Sequence, residues 1–380
     1  MIDYVEIRNK DRVLIGVVDT AQSVIWKGEY YSTGAFEIYV AANKKTLELL
    51  TVGYYVTRPN DRHIGIIEKI NITYDVQAGR MIIASGRFAK SLLDRRLIMK
   101  LNGTNTTGKI SILPTVIRGR VEEAARQLVT DNAINAVHPA RNIPFLKLGE
   151  LKGINKQIVD ENGTATSKQT SFANLLEYTD SLLQEYTMGS YMSFDKPSKD
   201  ILYNVFEGVD RTKGNAAGNT PLIFSQDFDN LLTSDYTYQT DTVKNTALIG
   251  GEGEGVDRFC AMIGVNASGI ERREIWLDMN GQSRSYENEN GEQTPYSDAE
   301  YLQLLKSAGQ QDLAALKEIQ TFDGGIDLTN CNLVFGRDYY IGDLITVYDV
   351  ELGLYLNKRI LTATEVQDES GYKIDITYGT

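Results

Sequence analysis

The feature that most constrains this fold is a strand-and-turn pattern that occurs twice, near the start of the chain and at its end. The early copy reads Gly53-Tyr-Tyr-Val-Thr-Arg58, a turn at 59–61, a strand over 65–76, a turn at 77–79 and a strand over 80–86. The late copy reads Gly342-Asp-Leu-Ile-Thr-Val347, a turn near Leu352 and Gly353, a strand over 356–366, a turn at 368–371 and a strand over 372–379. Corresponding positions lie about 290 residues apart, and the offset drifts only in the turns. Short alternating strands joined by glycine-bearing turns predict a closed barrel. A chain carrying one barrel twice can build a six-barrel ring from three copies.

At 380 residues the chain is too long for one ordinary core. The predicted class is β-rich α+β: two similar tube-type β-barrels plus a middle α+β domain, the later barrel discontinuous in sequence. The expected boundaries are 1–105 for the first barrel, 106–215 with 256–320 for the middle domain, and 216–255 with 321–380 for the second barrel.

Alternation predicts strands at 13–18, 23–27 and 35–40, with a short helix at 44–50 and a further helical stretch at 88–97. The polar run 102–108 reads as a linker. Amphipathic helices are predicted at 121–129 and 171–185, the second capped by a Ser or Thr, and strands at 189–194 and 201–206. Further strands are predicted at 235–240 and 245–250, and a helix at 301–319.

Composition removes several functions. No segment has the ~20 apolar residues of a membrane span, and the N-terminus lacks a secretory pattern, so synthesis in the cytoplasm is expected. A net charge of −12 opposes nucleic-acid binding; it is compatible with an acidic passage through which DNA slides, though charge by itself reads more simply as solubility. Cys260 and Cys331 are too few and too far apart for a disulfide framework or a metal site and are expected to be buried packing residues. His63 and His138 show no acidic or nucleophilic partner at a recognisable spacing, so no catalytic residue is assigned. Asp227, Asp229, Asp257 and Glu274 could form a hydrolytic pair but read more simply as solvated acids. The run Gly250–Gly255 carries Glu252 and Glu254 where a phosphate loop needs free amides and a Lys, and is expected to be a turn leaving the barrel. No metal and no cofactor is expected. The 22 tyrosines suit strands and interfaces.

Several stretches, in order, resemble the siphovirus tail-hub family, tail-tip relatives of the baseplate hub of contractile phages. They are 34–40, 47–53, 65–70, Gly208-Val-Asp-Arg-Thr212, 245–255, and 342–347 with Arg359 and Ile360 downstream. The resemblance implies a non-enzymatic homotrimeric hub at the virion tail tip or baseplate, whose paired barrels continue the tail tube as a pseudo-sixfold ring. It implies as partners a distal tail or tail tube protein, the tape-measure protein, and fibre, spike or receptor-binding subunits. DNA would be passing cargo, and no stable membrane insertion is expected. Candidate ring or interface segments are Gly53, Tyr54, Tyr55 and Arg58 in the early copy and Tyr339, Tyr340, Gly342 and Asp343 in the late one. Asp210, Arg211 and Thr212 form the family-like motif. The chain stops at the last barrel strand, so any wall-cutting activity is expected in another subunit. The competing readings are a cell-surface polysaccharide-binding or hydrolysing module and the hexameric distal tail protein.

Overall fold

A computed structural model describes residues 4–379, apart from 60, 77–78, 105–109, 161–162, 229, 232, 234, 288–291 and 327–332. The chain opens with strands β1 (Val5–Arg8), β2 (Leu14–Val18), β3 (Ala21–Glu29) and β4 (Ala35–Ala41). Helix α1 (Lys44–Leu49) follows, started by a capping box in which Asn43 and Thr46 satisfy each other's backbone amides. Strands β5 (Tyr55–Thr57), β6 (Gly65–Ile66), β7 (Lys69–Asp75) and β8 (Gly79–Arg87) complete this part. The alternation read from sequence sets the inward face: Val24, Trp26, Phe36, Ile38, Val40, Ile82 and Ala84 are all buried in one cluster. The expected continuous strand 65–76 is two strands in different sheets, because β6 pairs with β5 while β7 pairs with β8.

The middle of the chain contains β9 (Lys100–Thr104), β10 (Ile110–Leu113), β11 (Thr115–Arg118), α2 (Val121–Val129), β12 (Leu146–Leu148), β13 (Ser167–Thr170), α3 (Leu175–Glu185), β14 (Gly189–Phe194) and β15 (Ile201–Phe206). Of the expected linker at 102–108, residues 102–104 belong to β9, which pairs with β10; the rest lies outside the described residues. Helix α3 starts four residues later than expected. Asn174, not Ser171, caps it by accepting from Leu176 N and Glu177 N. The core here combines Val121, Ala125 and Leu128 of α2 with Leu175 and Leu182 of α3 and Tyr203 and Val205 of β15. Tyr55, Ile64 and Leu93 join the same cluster, so packing runs across the expected boundary at 105.

Next come β16 (Ile223–Ser225), β17 (Asp235–Gln239), β18 (Thr246–Gly250), β19 (Cys260–Gly264), β20 (Glu274–Asp278), β21 (Ser285–Glu287), β22 (Gln293–Pro295) and α4 (Asp298–Ala314). The chain ends with β23 (Ile319–Ile326), β24 (Leu344–Asp349), β25 (Leu354–Asp368) and β26 (Gly371–Gly379). Here the pairing redraws an expected grouping. Strand β18, assigned from sequence to the second barrel, lies between β19 and β20 in a separate sheet. Tyr301 and Leu305 of α4 cover Ala247, Ile249 and Ile263 of that sheet in a core of their own. The glycine run 250–255 is therefore the β18–β19 turn, tied by Gly251 N to Phe259 O and by Glu252 N to the Tyr301 hydroxyl. Helix α4 ends at Ala314, because 319 onward is strand. Cys260 is exposed, against expectation, because it starts β19 on the face that α4 does not cover; Cys331 lies outside the described residues.

The dominant element is a ten-stranded sheet running β17-β23-β26-β25-β3-β4-β8-β7, with β24 on β25 and β16 on β24. A four-stranded sheet, β2-β1-β5-β6, stands beside its N-terminal part.

Candidate assembly edges

The order of the large sheet sets two runs of four strands side by side. The early module runs β3-β4-β8-β7 and the late one runs β17-β23-β26-β25. Trp26 pairs with Phe36 and Phe36 with Gly86; likewise Tyr236 pairs with Phe322 and Phe322 with Tyr378. Strand for strand, β17 matches β3 and β25 matches β7. The modules meet head to tail, the last strand of one against the first strand of the other, with Glu365 opposite Trp26 and Ala363 opposite Gly28.

A buried ionic cluster locks this seam. Arg58, at the end of β5, donates from Nη1 to Glu365 Oε2 at 3.0 Å and from Nη2 to Asp61 Oδ2 at 2.7 Å, with a further Nη2 contact to Glu365. Its guanidinium lies 5.1 Å from the Trp26 ring centroid. The Tyr372 hydroxyl donates to Glu365 at 2.7 Å, and His63 Nδ1 lies 2.9 Å from Asp61 Oδ1. Side chains of Arg58, Asp61 and Glu365 are only 9, 11 and 6% exposed. Burial alone would raise the Asp61 carboxyl, but His63 and Arg58 outweigh it and hold it well below the usual carboxylate range. Burial, then the neighbouring Glu365 carboxylate, pushes the Tyr372 phenol up. The contact between His63 and Asp61 corrects the expectation that neither histidine has an acidic neighbour.

A second junction joins two motifs that sequence singled out separately. Asp343, 2% exposed, accepts from Val209 N at 2.8 Å, Arg211 Nε at 2.9 Å and Tyr340 N at 3.1 Å. Asp210 bridges to Leu344 and its side chain accepts from Thr212 N at 2.9 Å. A Cβ on Gly208 would stand 1.7 Å from Gly342 O, and one on Gly342, at φ +94°, would stand 2.5 Å from the Tyr30 ring. Both positions exclude any side chain.

Among the described residues, strands β7 and β17, at the two ends of the main strand order, each pair with one strand. Ile72 and Tyr74 on β7 are 50% and 68% exposed, and Tyr236 and Tyr238 on β17 are 36% and 54% exposed. Long, exposed, apolar edges are what isolated proteins avoid, because they invite another strand. Neither edge was singled out in the sequence. The signal was there in the large apolar residues alternating along outer strands.

The candidates placed on the repeat are mostly turned inward. Tyr55 sits in the middle core and Tyr339 against Phe224. Gly53 takes a turn conformation at φ +85°, Tyr54 is half-buried, and Tyr340 is 37% exposed with Arg62 over its ring. Among the described residues no group of His, Cys, Asp and Glu is placed to hold a metal ion, and no helix is long and apolar enough to cross a membrane. Glu274 pairs with Arg272, apart from Asp227 and Asp257 in short helical turns; Asp229 lies outside the described residues.

Residues 4–380 match the family described as Siphovirus ReqiPepy6 Gp37-like protein. The chain belongs to that siphovirus family. No curated relative matches the sequence. Among solved structures, this Gp37-like protein is similar to the tail protein from Neisseria meningitidis MC58, with a TM-score of 0.55 and 12% identity, covering 99% of this chain and 96% of that one. It is also similar to prophage tail protein gp18 from Listeria monocytogenes EGD-e, with a TM-score of 0.51 and 10% identity, covering 99% and 94% of the two chains. The Gp37-like chain thus has the β-rich fold of phage tail proteins.

Proposed function

We propose that this Gp37-like protein is a structural ring component of the virion tail tip, in which the head-to-tail seam between β25 and β3 is repeated between copies. The seam is a heterologous contact: the surface that ends one module is not the surface that begins the next. Such contacts propagate, and close when the rotation divides a circle. Each chain uses the contact once internally and leaves one half of it at β7 and the other at β17. Three copies then close a ring of six modules, the threefold hub of a sixfold tube. Each module is read as a tube-type barrel, with β24 beside β25 and the β1–β5 sheet beside β3 supplying the second layers.

The module register supports specific contacts. Glu365 and Ile72 occupy equivalent places, opposite Ile374 and Ile82 in their own hairpins. The seam pair Glu365 and Trp26 therefore becomes Ile72 of one copy against Tyr236 of the next. Likewise Ala363 and Gly28 become Ile70 against Tyr238. Aromatic and β-branched residues facing one another across antiparallel strands are favourable pairs.

Within this reading the chain is an assembly part and not a catalyst. Its partners are a distal tail or tube protein on one side and fibre, spike or receptor-binding subunits on the other, with the tape-measure protein and DNA passing through the ring. The test combines Ile72→Cys and Tyr236→Cys in a background with both native cysteines replaced by serine. Oxidation is expected to give a covalent ladder that ends at the trimer, matched by a trimeric native mass. A ladder ending at the hexamer selects a distal tail ring instead, and a monomer under all conditions, with or without a tube partner, overturns the ring.

A further inference from the structure

Between β17 and β23 the chain makes an excursion, 240–318, whose sheet β19-β18-β20 is packed by α4 on one face. That side is turned toward the chain's own middle: Tyr296, just before α4, donates its hydroxyl to Gln169 at 3.3 Å, and Gln303 reaches Thr166 at 3.5 Å. The opposite face is bare. Leu248 stands across from Met262 on one side and from Trp276 on the other, so three large apolar side chains form one row, 41, 54 and 45% exposed. Gly250 keeps the row flat, since a Cβ there would stand 2.2 Å from the Trp276 ring. Ion pairs flank Trp276 along β20, Arg272 with Glu274 at 2.5 Å and Arg258 with Asp278 at 2.6 Å. An apolar centre inside a charged rim is how docking surfaces between proteins are built.

The place of this face in the fold names its occupant. The excursion is rooted at β17, the edge that the proposed ring sets against β7 of the next copy: Arg273 donates to Thr240 O, and Lys244 N to Leu316 O at 3.0 Å. The seam inside the chain shows where such a root goes. Tyr30, which follows β3 as Thr240 follows β17, donates from N to Leu361 O across the seam at 2.8 Å, and a Cβ on Gly342 would stand 2.5 Å from its ring. In the register that sets Tyr236 against Ile72, Thr240 falls at Glu68 of the next copy, beside Gly53, the counterpart of Gly342. Gly53 N donates there to Ile67 O at 2.8 Å, and the nearby Leu47 and Val52 are 45 and 51% exposed.

Size points the same way. Strand β17 has five residues, and a strand pair of that length falls far short of the more than ~2,000 Å² that permanent contacts bury. Each joint of the ring therefore needs a further surface, and each chain brings one bare face to one joint.

We infer that the Leu248–Met262–Trp276 face docks on a second copy of this chain, covering Leu47 and Val52 beside its 51–53 turn. This rests on the ring proposed above and adds to it a contact that the strand edges do not make. The experiment compares the assembled full chain with its Ile72→Lys monomer, both in a Cys331→Ser background, by acrylamide quenching of tryptophan and maleimide labelling of Cys260. Trp26 is 1% exposed and Cys260 lies on the bare face, so both readouts report that face. Assembly is expected to slow quenching and labelling about tenfold, as a dry interface core does. Met262→Glu and Leu47→Glu, at exposed positions on the two sides of the contact, are each expected to fold like the parent and to raise the trimer's dissociation constant about tenfold or more. The inference is overturned, with the ring left standing, if a trimer forms in which Trp276 and Cys260 react as in the monomer, or if either glutamate variant assembles like the parent. A chain that stays monomeric with or without a tube partner overturns the ring and this contact together.

Discussion

In the proposed ring, the β25–β3 seam and the edge strands β7 and β17 are one kind of surface in two states. The seam carries a buried guanidinium between two carboxylates, a tyrosine hydroxyl and a tryptophan ring. The equivalent place on the open edge holds Ile72, and its proposed counterpart is Tyr236. The difference follows from what each joint must do. A joint within one chain forms once, with its partner always present, so it can bury charges that are costly unless fully paired. A joint between chains must first exist exposed in water, where a flat apolar and aromatic edge associates without stranding an unpaired charge in the core.

The largest effect expected from breaking this comparison is on assembly. Ile72→Lys puts a charge where the proposed ring sets the open edge against Tyr236, and should turn the proposed trimer into a monomer by native mass. Being on an exposed strand, it should move the monomer's stability by no more than about 0.5 kcal/mol. A variant that unfolds instead would show that β7 is supported by contacts within its own chain.

Arg58→Met should do the opposite. It leaves the buried carboxylates of Asp61 and Glu365 without their cation, and removing one partner of such a cluster costs about 3–5 kcal/mol. Urea unfolding should shift to a lower midpoint at constant slope, while whatever protein remains folded still presents intact edges. If Arg58→Met abolishes the proposed trimer without changing monomer stability, the seam and the edges are not separate devices. A smaller loss is expected for Gly342→Ala, about 1–3 kcal/mol, because the added Cβ meets the Tyr30 ring in a backbone conformation that alanine disfavours.

The hairpins were legible because alternation and turn chemistry are local: the buried face of β4 and the pairs β7–β8 and β25–β26 follow from period and glycine. The stretches 208–212 and 342–343 were singled out separately, and that Arg211 and Asp343 meet was not legible. The partners that close the seam were not legible. Arg58 and Glu365 are 307 positions apart, and nothing local distinguishes Glu365 from a solvated strand acid. Strand β18 misled for a related reason: its apolar residues read equally well as part of a barrel or of a small sheet under α4, and only the pairing with β19 and β20 decides.

The smallest effect concerns acid, and it sharpens the seam's side of the comparison. The Asp61 carboxyl is held below its unfolded value, so its contribution to stability is fully present above the unfolded pKa, about 3.9, and is lost as pH falls toward the folded one. Urea midpoints of the Ile72→Lys protein, measured so that assembly plays no part, should therefore fall as pH drops from about 5 to about 2. Asp61→Asn in the same background starts less stable, because an amide cannot match a carboxylate beside Arg58 and His63, but its midpoint should fall less steeply over that range. Equal slopes would mean that the acid-sensitive charge lies elsewhere, and that Arg58 is held mainly by Glu365 and the Trp26 ring.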